Sequence, residues 1–347
     1  MIERLHLHEI ELEFTDPLVT PEGSFSSRRS VLVGVEASGE VGWGEAPAFP
    51  SRRWGTAEAA WEALESRVNL GGTAAPLPPI ANAALQAARA DLEARLAGLP
   101  LHQTLGGSTR PIRARHTFGL VEEPSVLVER IAPLVAAGIS AVKLKIRPGW
   151  DIQPIVEVRT AFRSLDISVD ANATYRDPYD PVFEALAGAG VSMIEQPFAA
   201  DDLDSHAALR KREILTVGLD EAIRSTGDAR RILQVGAADL LSLKANRLGL
   251  EAATKILDLA SSEGVAVKVG GTFDTSIGRR LLLAFATLEG VTDAEIAPPS
   301  GYLVTDVAAY PDLIGGTITP DDRPGIGVDP DQGRLADLEI RRTTIGV

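Results

Sequence analysis

Apolar and polar positions alternate over Leu5–Phe14, valine crowds Ser30–Ala37, and a third run, Val41–Glu45, follows the turn-forming Ala37-Ser38-Gly39-Glu40. A period of two marks half-buried strands, so the chain opens as strands joined by turns. Over 56–70 and 80–98 the spacing of apolar residues becomes helical in alanine-rich stretches. The second stretch (Ile80, Ala84, Leu85, Ala88, Leu92, Leu96) stops at Gly98 and Pro100, as helices do. Residues 1–110 therefore read as a small α+β domain.

From residue 111 short β-branched runs alternate with helical stretches. The runs are Arg115–Leu120, Ala141–Ile146, Ile167–Asn172, Val191–Pro197, Leu215–Glu221, Leu240–Asn246, Val265–Gly271 and Ala294–Ala297. Eight such units predict a parallel (β/α)8 barrel over 111–321, capped by the α+β domain. The remaining segment, 322–347, ends in the β-prone Leu338–Val347, which is placed to return to the capping domain.

Composition narrows the partners. A chain of 347 residues, 45% hydrophobic, has ample core for one large and one smaller domain. It holds no cysteine, which excludes disulfides and thiolate ligands or nucleophiles. A net charge of −14 argues against nucleic acid or an anionic membrane as partner, but not against a small anionic substrate near local cations. No apolar run reaches the ~18 residues of a membrane span. Met1–His6 lacks the basic-then-apolar start of a signal peptide. A cytoplasmic location is expected, and a homo-oligomer is compatible with everything above.

The chemistry lies in a periodicity. Lys145, Asp170, Glu195, Asp220 and Lys244 each stand near the C-terminal end of a strand, separated by 25, 25, 25 and 24 residues. A barrel of roughly 250 residues gives each βα unit about that length, so the five converge on one mouth. Buried carboxylates without partners raise their pKa or destabilise the fold, and three together repel one another. A divalent cation resolves both problems, and an all-oxygen set favours Mg²⁺. A single acid of this kind would read as a solvated strand end. Three at equal spacing, flanked by lysines, do not. Lys143 and Lys145 share one face of their strand. Lysines beside a dication can serve as bases, with Lys143 equally readable as a counter-ion.

With these residues in place, the whole chain resembles the muconate-lactonising-enzyme subgroup of the enolase superfamily. There a Lys-x-Lys strand, an Asp, Glu, Asp metal triad and a later lysine occupy successive strands. The resemblance implies Lys143-Leu144-Lys145 as the Lys-x-Lys motif, with Lys145 the acid/base. It implies Asp170, Glu195 and Asp220 as ligands of Mg²⁺ (Mn²⁺ as substitute), and Lys244 as the opposite-face lysine. The subgroup needing a seventh-strand histidine is excluded, because Val265–Gly271 has none and no histidine follows His206.

Lys143–Asp151 and Gly270–Arg279 are similar to o-succinylbenzoate synthases, which often also racemise N-succinylamino acids. That similarity implies a small carboxylate substrate, 2-succinyl-6-hydroxy-2,4-cyclohexadiene-1-carboxylate, dehydrated to o-succinylbenzoate in the menaquinone route. N-succinylamino acid racemisation is the alternative, followed by muconate cycloisomerisation and dipeptide epimerisation; a catalytically silent binding barrel is the non-enzymatic one. Substrate contacts are expected from Asn172, Gly270, Gly271 and Thr272. The cap would add the 15–30 loop with Arg29 or Arg28, and the segment Phe49–Trp54. Phe273, Asp274 and Lys268 depart from the usual pattern, Lys268 replacing a common aromatic.

Overall fold

The structure, a computed structural model, describes residues 2–49, 55–69 and 76–346. Three strands, Arg4–Thr20, Gly23–Ala37 and Glu40–Pro47, form an antiparallel sheet. Glu339–Gly346 adds a fourth strand on the outer edge of the first, with Arg4 opposite Gly346. The tail thus returns to the N-terminal sheet. Helices Ala57–Asn69 and Pro79–Leu96 cover one face. The contact with Pro79–Leu96 is so close that a Cβ on Gly44 would lie 2.1 Å from the Ala84 carbonyl oxygen. Only glycine admits that approach.

The expected 15–30 loop is instead the end of a hairpin. Leu18 pairs with Phe25 and Thr20 with Gly23, beyond a register break between Glu13 and Leu18. Pro17 falls inside that break, which is where a strand tolerates proline.

Eight parallel strands follow in sequence order: Arg115–Phe118, Ala141–Lys145, Asp166–Asp170, Val191–Glu195, Thr216–Leu219, Leu240–Leu243, Ala266–Val269 and Val291–Ala294, called strands one to eight below. A parallel bridge between Ala114 and Ala294 closes the ring. Helices such as Pro124–Ala136, Thr226–Val235 and Leu250–Ser262 separate the strands. Thr226–Val235 shows how the sequence sets their ends: Ser225 accepts from the Asp228 N–H, and Gly236 at φ +64° terminates the helix. After strand eight come a 3₁₀ turn, Pro299–Gly301, and a two-residue strand, Thr317–Ile318, before Gln332–Leu338 leads into the last strand.

At the barrel floor Arg115 Nη2 lies 2.7 Å from Asp166 and its Nε 2.7 Å from Asp293, tying strands one, three and eight. Among the described residues no helix is long and apolar enough to cross a membrane.

Candidate active site

At the C-terminal mouth of the barrel a cavity is lined by Lys143, Lys145, Asp170, Asn172, Asp220, Glu221 and Lys244. The barrel delivers these side chains by register. Lys145 pairs with Asp170 and Asp170 with Glu195 across strands two, three and four. Asp220 and Lys244 each follow the last residue of strands five and six. Glu195 is fully buried beneath the cavity.

Asp170, Asp220 and Glu195 are each matched by a cation. Lys145 Nζ lies 2.9 Å from Asp170 Oδ2 and donates to Asn172 Oδ1 at 2.6 Å. Lys244 Nζ is 2.6 Å from Asp220 Oδ2, while Arg247 Nη1 reaches Asp220 Oδ1 at 3.1 Å. Lys143 Nζ contacts Glu195 at 3.0 Å and Glu295 at 2.7 Å. Lys268 bridges the same two acids, bonded to Glu195 Oε2 and 2.5 Å from Glu295 Oε1.

The electrostatics follow from burial set against these partners. Burial alone would raise Asp170 and Asp220. Lys145 and Lys143 outweigh it for Asp170, and Lys244 with Arg247 for Asp220, so both fall below the usual carboxylate range. Burial would lower Lys143, yet Glu195, Glu295 and Asp170 hold it well above its ordinary value. Glu221 goes the other way, pushed up to about 7 by burial and then by Asp220 and Asp170. Its Oε1 accepts from Asn172 Nδ2 at 3.0 Å.

Asp170, Glu195 and Asp220 suit a hard cation in kind: they are carboxylates on three consecutive strand ends at one level. In the arrangement described their oxygens are taken by ammonium and guanidinium groups and, at Asp170 Oδ1, by the Asn172 N–H. Among the described residues no group of three acids or histidines stands as a ready cage. An ion binding there would have to displace Lys145 from Asp170 and Lys244 from Asp220.

The other expected residues divide. Asn172, Gly271 and Thr272 line the cavity and Gly270 does not. A Cβ on Gly270 would lie 3.1 Å from Lys244 Cε, so this glycine makes room for the lysine. Arg29 is also outside the lining; its side chain is 53% exposed and faces Glu9 at 3.4 Å. Its neighbour Arg28 is the buried one. Arg28 donates to the carbonyls of Thr272 (2.5 Å) and Phe273 (2.9 Å), and to Glu45 Oε1 (2.8 Å).

From the cap, Thr20, Glu22 and Phe49 reach the cavity; Pro50–Trp54 lies outside the described residues. Phe49 stacks on Phe273 at 6.4 Å, and Phe273 meets Tyr302 edge-on at 5.1 Å. Phe273 sits at φ +59°, a costly conformation for an aromatic residue.

Sequence reasoning missed Glu295, Arg279 and Tyr302 as lining residues. A signal existed for one of them: the spacing that links Lys145 to Lys244 continues through Lys268 to Glu295.

The family model for the enolase C-terminal domain-like family matches residues 126–334. An o-succinylbenzoate synthase from Geobacillus stearothermophilus is 35% identical, covering 96% of this chain and 95% of the relative. An N-succinylamino acid racemase from Amycolatopsis is 28% identical over 99% and 98%. The crystal structure of an enolase superfamily member from Listeria innocua superposes with a TM-score of 0.90 at 26% identity, covering 99% of each chain.

Proposed function

The chain belongs to the enolase C-terminal domain-like family, and on that premise we propose that it is a Mg²⁺-dependent dehydratase. It removes the proton α to a carboxylate and converts 2-succinyl-6-hydroxy-2,4-cyclohexadiene-1-carboxylate to o-succinylbenzoate in the cytoplasm. One observation carries the reading. Lys145 on strand two and Lys244 after strand six flank the acids of strands three to five, each within hydrogen-bond distance of a different one. Two lysines so placed reach a substrate in the cavity from two sides.

Asp170, Glu195 and Asp220 would hold the ion, which when bound supplies positive charge to the substrate carboxylate as its α-carbon loses a proton. Lys145, released from Asp170, takes that proton as a neutral amine. The same ammonium then gives the proton to the departing β-hydroxyl: the C–O bond breaks, water leaves and the ring becomes aromatic. Lys244 stays an ammonium opposite, and its charge favours the anionic intermediate over the ground state. Phe49 and Phe273 line the cavity with apolar surface.

Racemisation of N-succinylamino acids is the second reading, favoured by the equivalent placement of Lys244. There each lysine serves one face of the α-carbon. Dipeptide epimerisation draws less support, because Glu295 is already committed to Lys143 and Lys268 and is poorly placed to hold a substrate ammonium.

The test is turnover of both substrates by the purified protein with Mg²⁺, after chelation, and in Asp170→Asn. Expected are efficient dehydration, weaker racemisation, loss of both on chelation with return on adding Mg²⁺, and a fall of at least ~1,000-fold in the folded variant. Full activity without metal, or turnover of neither substrate, would overturn the proposal.

A further inference from the structure

Buried arginines in this protein are matched by carboxylates. Arg28 has Glu45 at 2.8 Å, Arg115 has Asp166 and Asp293 at 2.7 Å each, Arg247 has Asp220 at 3.1 Å and Arg280 has Asp321 at 3.5 Å. Arg279 breaks the rule. It stands in the first turns of helix Ser276–Ala286, is 2% exposed, and lines the same cavity as the lysines. Its Nη1 donates to the Ala297 carbonyl at 2.5 Å, and its Cζ lies 5.2 Å from the Tyr302 ring centroid. Its Nε has no hydrogen-bond partner and its guanidinium no ion pair within 4.0 Å among the described residues, Asp306 acting on it only through space from farther off.

The acids nearby are already used. Asp306 accepts from the Ser276 N–H at 3.0 Å, from its hydroxyl at 2.5 Å and from the Val307 N–H at 2.7 Å. Asp274 accepts from the Thr272 N–H at 2.9 Å. Glu295 is held by two lysines. His116, stacked on Tyr302 at 4.3 Å, adds no negative charge: burial, aided by Arg279, pushes it down to about 3 and keeps it neutral.

A guanidinium cannot shed its proton to escape burial, so an unmatched one is costly unless an anion joins it. The cost falls at one place in the mouth. Arg279, Tyr302 and Thr117 occupy the sector of strands seven, eight and one, across the ring from the acids of strands three to five. We infer that Arg279 anchors a second carboxylate of the substrate, so that the cavity selects dicarboxylates spanning from the lysine–acid centre to this sector. The inference rests on the proposed reaction, which places the first carboxylate at the lysine–acid centre.

The experiment compares N-succinylphenylglycine with its analogue carrying a terminal carboxamide, in wild type, Arg279→Met and Arg279→Lys, with Mg²⁺ present. In the wild type the amide raises KM roughly 10–100-fold, the worth of one buried charge-assisted contact. Arg279→Met raises KM for the succinyl compound to meet that of the amide, with the effect on KM rather than kcat. Arg279→Lys keeps part of the difference, because it keeps a charge without the planar fork. Because the ligand is altered as well as the protein, the wild-type comparison decides even where a variant fails to fold. Equal KM for the two compounds in the wild type, or an undiminished difference in folded Arg279→Met, overturns the inference and leaves the reaction standing. No turnover of either compound, nor of the cyclohexadiene substrate, overturns the reaction and the inference with it.

Discussion

Replacing Arg28 by methionine tests the joint between cap and barrel. The guanidinium is fully buried against Glu45, also fully buried, and holds two carbonyls of the strand-seven loop. Glu45 Oε2 in turn accepts from the Thr275 and Gly278 N–H groups at the start of helix Ser276–Ala286, at 2.9 and 3.2 Å. Removing one partner of a buried pair typically costs about 3–5 kcal/mol, because the remaining charge stays buried. With a urea slope of about 2 kcal/mol per M, the unfolding midpoint should fall by about 2 M. Trp43 and Trp61 are buried in the cap and report the transition by fluorescence.

The pH dependence gives a second handle. Burial already raises Glu45 against the pull of Arg28, and losing Arg28 raises it further. A raised carboxyl contributes stability at low pH that is lost as pH rises through the folded pKa. The defect should therefore shrink in acid. Arg28→Met/Glu45→Gln should recover at least half of the loss. A midpoint within about 0.3 M of wild type, or a double variant no better than the single, would refute the reasoning.

Two further outcomes follow from the geometry. Lys244→Arg keeps a positive charge beside Asp220 but removes the practical base. Racemisation should fall at least ~100-fold in both directions while a fraction of dehydration remains; solvent deuterium exchange into each enantiomer of N-succinylphenylglycine reads the two faces separately, and persistent exchange on both would count against it. Burial pushes His206 from 6.5 down to about 4 while its Nδ1 donates to the Asp202 carbonyl. Its stabilising contribution of about 3 kcal/mol is present above pH 6.5 and is lost as pH falls through 4. Urea midpoints across that window should drop less in His206→Gln, and parallel curves would exclude the assignment.

The barrel was legible because each βα unit returns the chain to the same mouth, so one chemical residue per unit leaves a period in the sequence. The lysines and acids of strands two to six were found that way. What the period cannot give is pairing. Lys268 read as an odd substitution and Glu295 went unnoticed, yet each is the other's partner across adjacent strands. Arg28 and Arg29 differ for a related reason. Their strand is buried on both faces from Ser30 to Val35, so alternation does not reveal which arginine turns inward.

The edge strand Glu339–Gly346 beside Arg4–Thr20 has a consequence for how the protein assembles. The cap is encoded first but lacks its outer strand until the whole barrel has left the ribosome. Its sheet then closes through contacts of the greatest sequence separation in the molecule, which favours slow, late completion. The same adjacency sets Arg4 and Gly346 side by side. A short linker from Gly346 to Arg4, with new ends opened in the exposed turn at Gly264, would turn that late step into a local one without altering the barrel mouth.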